Sequence, residues 1–300
     1  MTTLRDLAEL VRAPAALSVP GDTLAGAASA GWPAGRRTAL LPVASVSLYW
    51  AGMALNDWAD RDLDAVERPE RPIPSGRVAP RTALVLASGL TVTGVGVAAV
   101  AGGPAAAAVA TVLAGAVWAY DLSAKSGPGS TAVMASTRGL DVLLGASAGG
   151  VPALGRALAP AALLAAHTAA VTALSRGEVH GTSPATARGA VGVTALVACV
   201  VPVLAAARAG TGRPARQGWV AAGVAVAAAS AYASSVGRAQ AAAVSDPGAA
   251  TARRATVAGI RGMVPLQSAL VASAGEAGTA LALGALSWVA RSATRKGSPT

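Results

Sequence analysis

The chain has 300 residues, 53% of them hydrophobic and 13% charged, with a formal charge of +10, one cysteine and no phenylalanine. A composition this apolar, with positive mean hydropathy, excludes a disordered chain and a soluble nucleic-acid binder: most of its length suits hydrocarbon, and the scattered basic residues fit membrane-flanking loops. The single cysteine, Cys199, excludes a disulfide framework or a cysteine-based metal site within one chain.

In chain order, the N-terminal MTTLRDLAELVRAP carries Asp6 and Glu9 in an amphipathic pattern and predicts an interfacial helix, not a signal peptide. Apolar stretches near 14–33, 38–57, 80–101, 103–121, 129–151, 157–175, 184–207 and 216–237 each approach the ~20 residues that cross a bilayer. A further stretch fills 255–290, which a turn near Gly275-Glu276-Ala277-Gly278 would fold into a hairpin, so nine or ten spans are open. The expected fold is an all-α membrane protein. It is a single domain over 1–300, a polytopic bundle of about nine transmembrane helices with a central cavity open toward its cytoplasmic loops. Small residues dominate the spans, so close backbone approach must hold the helices together. The longer polar connections, 58–79, 121–129, 176–183 and 237–254, all fall on one side under this topology, and the basic residues favour an inside N-terminus.

The chemistry concentrates after the second span. Six of the fourteen acidic residues lie between Asp57 and Glu70, in NDWADRDLDAVERPERPIPSG. If the span continues as a helix through this motif, ~100° per residue brings Asp57, Asp60 and Asp64 to one face while Asp62 points away. Three carboxylates at a membrane boundary repel one another unless cations neutralise them, and Mg²⁺, a hard ion that joins carboxylates to phosphate oxygens, is the expected partner. Arg61, Arg68 and Arg71 follow with donors matched to phosphate, and Pro69, Pro72, Pro74 and Gly76 end the helix.

Later positions add single features. Asp22 lies inside the first span and is a candidate for the acceptor pocket. Arg138 and Asp141, three residues apart in an apolar segment, predict either a mutual pair or a polar cavity; Arg138 alternatively contacts a diphosphate or holds an aspartate of the first motif. His167 is read as a packed residue hydrogen-bonded between helices. Glu178 is the only carboxylate of the loop LSRGEVHGTSPATARG and is assigned an ion or acceptor contact, against a surface pair with Arg176; His180 beside it is a second contact candidate. Cys199, among apolar neighbours, is expected to be a buried structural thiol. Glu276 is a turn residue or a cavity acid.

Asn56, Asp57, Asp60 and Asp64, followed by Arg68-Pro69, Arg71-Pro72-Ile73-Pro74 and Ser75-Gly76, closely resemble the UbiA-type family of intramembrane prenyltransferases. The likeness extends to Arg12-Ala13-Pro14, to Tyr120 with Lys125, and to Arg138-Gly139-Leu140 with Gly145. The resemblance implies a helical bundle in which Mg²⁺, held by Asp57, Asp60 and Asp64, binds an isoprenyl diphosphate. It implies substrate contacts from Asn56, Arg68, Arg71, Tyr120, Lys125 and Arg138, and transfer to a small acceptor, either an aromatic ring or a hydroxyl of a polar molecule such as a cyclitol. It makes membrane lipid, and not nucleic acid, the surrounding partner. The family's second aspartate-rich motif is reduced here to Glu178. Two rival classes are a phosphatidyl transferase of the CDP-alcohol type, whose D-G-x-x-A-R run is missing from the sequence, and a non-enzymatic membrane carrier or scaffold.

Overall fold

The computed structural model describes all residues except 1, 125–126, 128, 211–213 and 297–300, with no side chains beyond 286. The described residues are helical throughout: α1 (Leu4–Leu10), α2 (Pro20–Ala30), α3 (Leu40–Ala59), α4 (Arg61–Glu67), α5 (Pro80–Ala119), α6 (Ser130–Ala146), α7 (Gly150–Ser175), α8 (Pro184–Ala209), α9 (Ala215–Ser245), α10 (Ala249–Ser273) and α11 (Ala277–Lys296). Six stretches are long and apolar enough to cross a membrane, among them Pro80–Ser123 and Ser130–Ser175.

Both of those stretches are hairpins. A straight helix would place Thr91 and Trp118 about 40 Å apart, yet the Trp118 indole donates to the Thr91 hydroxyl at 3.1 Å. The reversal falls at Gly103, whose φ of 69° is left-handed, followed by Pro104, which suits a new helix start. Gly150 (φ 66°) does the same between α6 and α7, so that Gly139 comes to face the backbone carbonyl of Ala161. The reversals fall at the boundaries that the apolar pattern predicts near 101–103 and 151. The 255–290 stretch is also two helices, α10 and α11, turning through Ala274–Glu276.

The first span departs from expectation. Residues 13–18 form a 3₁₀ turn and α2 has 11 residues, about 17 Å of helix, too short to cross hydrocarbon alone. Pro20 and the buried Asp22 explain the short helix, because α2 sits inside the bundle. Gly26 of α2 lies against the Val142 carbonyl and Gly145 of α6 against the Thr23 carbonyl, so a β-carbon at either position would enter the facing backbone. This glycine crossing is the close approach that small residues permit.

Two apolar cores flank it. One joins α7, α8, α9 and α10 through residues such as Leu164, Val197, Val236 and Leu266; the other joins α3, α5 and α6 through Leu41, Leu48, Leu113 and Leu144. Val85, Val92, Val112, Leu196 and Val203 point outward, as lipid-facing positions must. Cys199 is one of these outward positions on α8, which corrects the buried-thiol expectation: its apolar neighbours report a lipid-facing surface instead of a protein core. His167 fits its expected role, with Nδ1 2.8 Å from the Tyr232 hydroxyl and Nε2 3.1 Å from the Gly259 carbonyl, linking α7, α9 and α10.

The polar connections gather at one end. Arg176 bonds Ser130, the Thr182 amide donates to the Pro247 carbonyl at 2.8 Å, and Arg253 donates to the Glu178 carbonyl at 3.2 Å. At the other end Arg156 and Arg208 donate to the Ala30 and Ser29 carbonyls that close α2. In a Cys199→Ala background, single cysteines at Glu70 and Glu178 are expected to react with an impermeant thiol reagent from the same side, and one at Arg36 only from the opposite side. Mixed labelling of the first two would break this arrangement.

Candidate active site

The helical ladder carries through the acidic motif. The Asp60 amide donates to the Asn56 carbonyl at 2.9 Å and the Asp64 amide to the Asp60 carbonyl at 2.8 Å, across the small break between α3 and α4. Asp57 and Asp64 therefore face the same way and are buried, with 4% and 1% of their surface exposed. Arg71 returns from the proline loop to bridge them, with Nη1 2.5 Å from Asp64 Oδ2 and 3.4 Å from Asp57 Oδ1. Arg12 donates to the same Asp57 oxygen at 3.0 Å. Arg68 approaches Asp64 Oδ1 to 3.7 Å, too long for a hydrogen bond, and that buried oxygen has no hydrogen-bond partner among the described residues. The Asn56 amide reaches Asp57 and Asp60 at 3.4 Å each. Asp62 lies outward with Arg61, as the helical spacing predicts.

Cationic partners thus neutralise the cluster, and here they are arginines. No group of three acidic, histidine or cysteine side chains among the described residues is assembled as a ready cation cage. The donor set nevertheless fits a hard divalent ion: it is all oxygen, and Asp64 keeps one buried oxygen that no N–H satisfies.

Arg12 is a site residue that the spacing argument missed. It sits in the left-handed region at φ 49°, an uncommon conformation for a side-chain-bearing residue, and it is held there by the Asp57 contact. Its only signal in the sequence was the Arg12-Ala13-Pro14 run. Ahead of it, α1 is strapped to the proline loop: Arg77 bonds Asp6 at 3.0 Å and both Glu9 oxygens at 2.7 and 2.8 Å. The Thr3 hydroxyl and amide, then Arg77, bring the Asp6 carboxyl down to about 2. Arg77 lowers Glu9 as well. A carboxyl depressed in the folded state contributes stability that is complete above its unfolded value, ~3.9 for Asp, and is lost as pH falls through the folded one. Protection of residues 4–10 in hydrogen exchange is therefore expected to be the same at pH 6 and pH 7, to begin falling near pH 4.5, and to be lost only as pH approaches about 2.

Below the motif, Val19, Ser45, Leu48, Tyr49, Leu113, Val117, Thr137, Arg138 and Asp141 line a narrow, mainly apolar crevice. Arg138 does not form its ion pair with Asp141: it turns to Asp22 on α2, Nη1 to Oδ2 at 2.6 Å, and the other Asp22 oxygen accepts from Gln267 at 2.5 Å. The helical spacing allowed the Asp141 pair, but the glycine crossing puts Asp22 nearer. Asp141 accepts from the Ser45 hydroxyl at 2.6 Å instead. Asp22, placed by the sequence in an acceptor pocket, has both oxygens engaged in this buried network.

At the mouth, Tyr120 is half-buried at the end of α5, and Asp121 beside it approaches Gly52 of α3. Glu178 is half-buried and His180 exposed. The alternative reading, a surface pair of Glu178 with Arg176, is not what forms: Arg176 contacts Ser130 instead. Lys125 lies outside the described residues.

A sequence model of the UbiA prenyltransferase family matches residues 17–247. The chain is 37% identical to a digeranylgeranylglyceryl phosphate synthase of Halobacterium salinarum over 169 residues, 55% of this chain and 60% of the relative. It is 45% identical to a protein of the same name from Natronomonas pharaonis over 86 residues, 28% of this chain and 31% of the relative. The chain thus spans from about a third to three-fifths of the length of these curated relatives. Among solved structures, one titled for digeranylgeranylglyceryl phosphate synthase in membranes superposes with a TM-score of 0.63 at 17% identity, over 90% of this chain and 98% of the other. An apo UbiA homolog from Aeropyrum pernix K1 gives 0.61 at 18% identity, over 82% and 94%. At these identities the likeness is one of fold.

Proposed function

The chain belongs to the UbiA prenyltransferase family, and from that premise we propose that it is an intramembrane, Mg²⁺-dependent prenyltransferase moving an isoprenyl group from an isoprenyl diphosphate to a hydroxyl of a small polar acceptor. The observation that carries this reading is the buried Asp57–Asp64 pair clamped by Arg71 directly above an apolar crevice. It offers an anion-and-cation-binding mouth for a diphosphate and a channel for a hydrocarbon chain. The names of the curated relatives specify a product with two geranylgeranyl groups on a glyceryl phosphate, which favours a hydroxyl of a phosphorylated polyol over an aromatic ring.

Asp57, Asp60 and Asp64 would hold the ion. When bound, the ion would supply positive charge that offsets the charge building on the leaving group. Arg12, Arg68 and Arg71 have donors to turn from the carboxylates toward the diphosphate, with Lys125 as a further candidate. Asn56 orients Asp57 and Asp60. The allylic carbon–oxygen bond breaks with its electron pair leaving on the diphosphate, and the acceptor oxygen forms the new bond to the allylic carbon. The acceptor proton passes to a base, for which Glu178 is the candidate, with His180 beside it. Tyr120 presents a ring to the developing cation. The Arg138–Asp22 pair forms the crevice floor and keeps water from the cation. The active-site loops belong to the cytoplasmic side of a cell membrane, as the basic residues suggest.

Incubating purified protein with labelled isoprenyl diphosphates, with and without Mg²⁺, and with either a glyceryl phosphate-type or an aromatic-acid acceptor tests the reading. Metal-dependent transfer to the former is expected; no transfer to either acceptor would sink it. Glu178→Gln, which removes charge at constant size, is expected to lower turnover at least ~10-fold while leaving diphosphate affinity nearly unchanged. Equal turnover would return Glu178 to a purely structural loop.

A further inference from the structure

One stripe of α10 is exposed over its first half and faces α9 and α11 over its second. Gly259 and Gly262 pack that helix on Val171 of α7 and Val236 of α9, while Arg254, Val257, Ala258, Arg261, Pro265 and Ser268 recur at helical spacing on the opposite side. Arg254 and Arg261 are exposed there, about 11 Å apart along the axis. Arg254 gives one N–H to the Thr251 hydroxyl at 2.8 Å, which in turn donates to Asp246 at 2.7 Å. Arg261 meets no hydrogen-bond or ion-pair partner among the described residues, although it lies within a helix long and apolar enough to cross a membrane. A lipid-facing guanidinium at such depth calls for an anion.

The surroundings are shaped for one end of an amphiphile above the other. Arg253, Arg254 and Arg261 line a hollow of about 460 Å³ with Val257 and Ala258 between them. Further along the same stripe, Pro265 and Ser268 line a second hollow of about 380 Å³ with Val224 of α9 and Leu281 of α11, and its walls are mostly apolar. Ser268 is 6% exposed, and its hydroxyl finds no partner among the described residues. From Arg254 to Ser268 the stripe runs about 21 Å, the depth of one leaflet with its headgroup. Arginine side chains on a membrane helix lean toward the interface, so the deeper guanidinium, Arg261, is carried toward the headgroup side of the stripe.

We propose that this stripe binds one anionic phospholipid, its phosphate between Arg254 and Arg261 and one chain in the hollow beside Ser268. The site is separate from the aspartate mouth, and it holds whatever the acceptor proves to be. Charge complementarity selects the occupant: three guanidiniums line the upper hollow, Arg253 gives one N–H to the Glu178 carbonyl, and the nearest carboxylate, Asp246, meets Arg254 only through the Thr251 hydroxyl, so the net positive charge favours a headgroup with net negative charge over a zwitterionic one.

Native mass spectrometry of the full chain, released from mixed micelles containing phosphatidylglycerol or phosphatidylcholine, reads the occupancy. Wild type is expected to retain phosphatidylglycerol at least ~10-fold better. The paired change Arg254→Gln with Arg261→Gln is expected to abolish the preference, and Arg254→Lys with Arg261→Lys to keep most of it. Ser268→Leu, which fills the lower hollow, is expected to weaken retention of both lipids. Equal retention of the two lipids by wild type, or an unchanged preference in the glutamine variant, overturns the proposal. Should the glutamine variant not fold, a salt titration of wild type takes its place: a preference that does not fall between ~0.05 and ~0.5 M salt overturns it equally.

Discussion

Asp64→Asn is expected to lower prenyl transfer on the order of 100-fold, with metal affinity falling in parallel, a size typical of changes to metal-holding carboxylates or their partners. Asp64 is almost fully buried, takes the short contact from Arg71 on one oxygen and keeps the other without a donor. Asparagine preserves the shape but removes the charge that both Arg71 and a divalent ion require, so the effect separates from packing. Titration of Mg²⁺ against turnover in wild type and variant, with size-exclusion profiles as the check on folding, reads it. Unchanged metal dependence would remove Asp64 from the site and leave Arg71 as its reason for burial.

Arg138→Gln carries the largest expected effect on stability. Asp22 is wholly buried, and the side chain of Arg138 is 18% exposed, so losing the arginine strands a carboxylate with Gln267 alone. Breaking a buried pair from one side costs about 3–5 kcal/mol. Thermal unfolding in detergent should show it, and the double change Asp22→Asn with Arg138→Gln should recover much of the loss, because both charges then leave together. If the double variant is no better than the single one, Arg138 matters through contacts other than Asp22.

What the sequence disclosed and what it hid follow from distance along the chain. Asp57, Asp60 and Asp64 lie within eight positions, so helical geometry alone placed them on one face, and the proline run that returns Arg71 to them was readable beside them. The reversals at Gly103 and Gly150 were legible as breaks between apolar stretches, since glycine and proline mark them locally. The partner of Arg138 was not: Asp141 was the neighbour in sequence, whereas Asp22 stands 116 positions away and arrives only through the Gly26–Gly145 crossing. Arg12 was hidden for a similar reason, being 45 positions from Asp57. Cys199 shows another limit: an apolar neighbourhood identifies the helix as membranous but does not say whether a given side faces protein or lipid. The loop at Glu178 was readable as a reduced motif, and its anchoring by Arg253 through a backbone carbonyl was not, because backbone contacts leave no residue signature.

The Arg138–Asp22 pair also sets an order on how the chain is made. Asp22 leaves the ribosome 116 residues before the arginine that neutralises it, an interval of roughly 6–23 s at ordinary synthesis rates of ~5–20 residues per second. Through that interval α2 is a short helix carrying an unpaired carboxylate, too costly to release into lipid on its own. α2 is expected to wait at the membrane surface or beside the insertion machinery until α6 emerges, so that a helix synthesised early docks late.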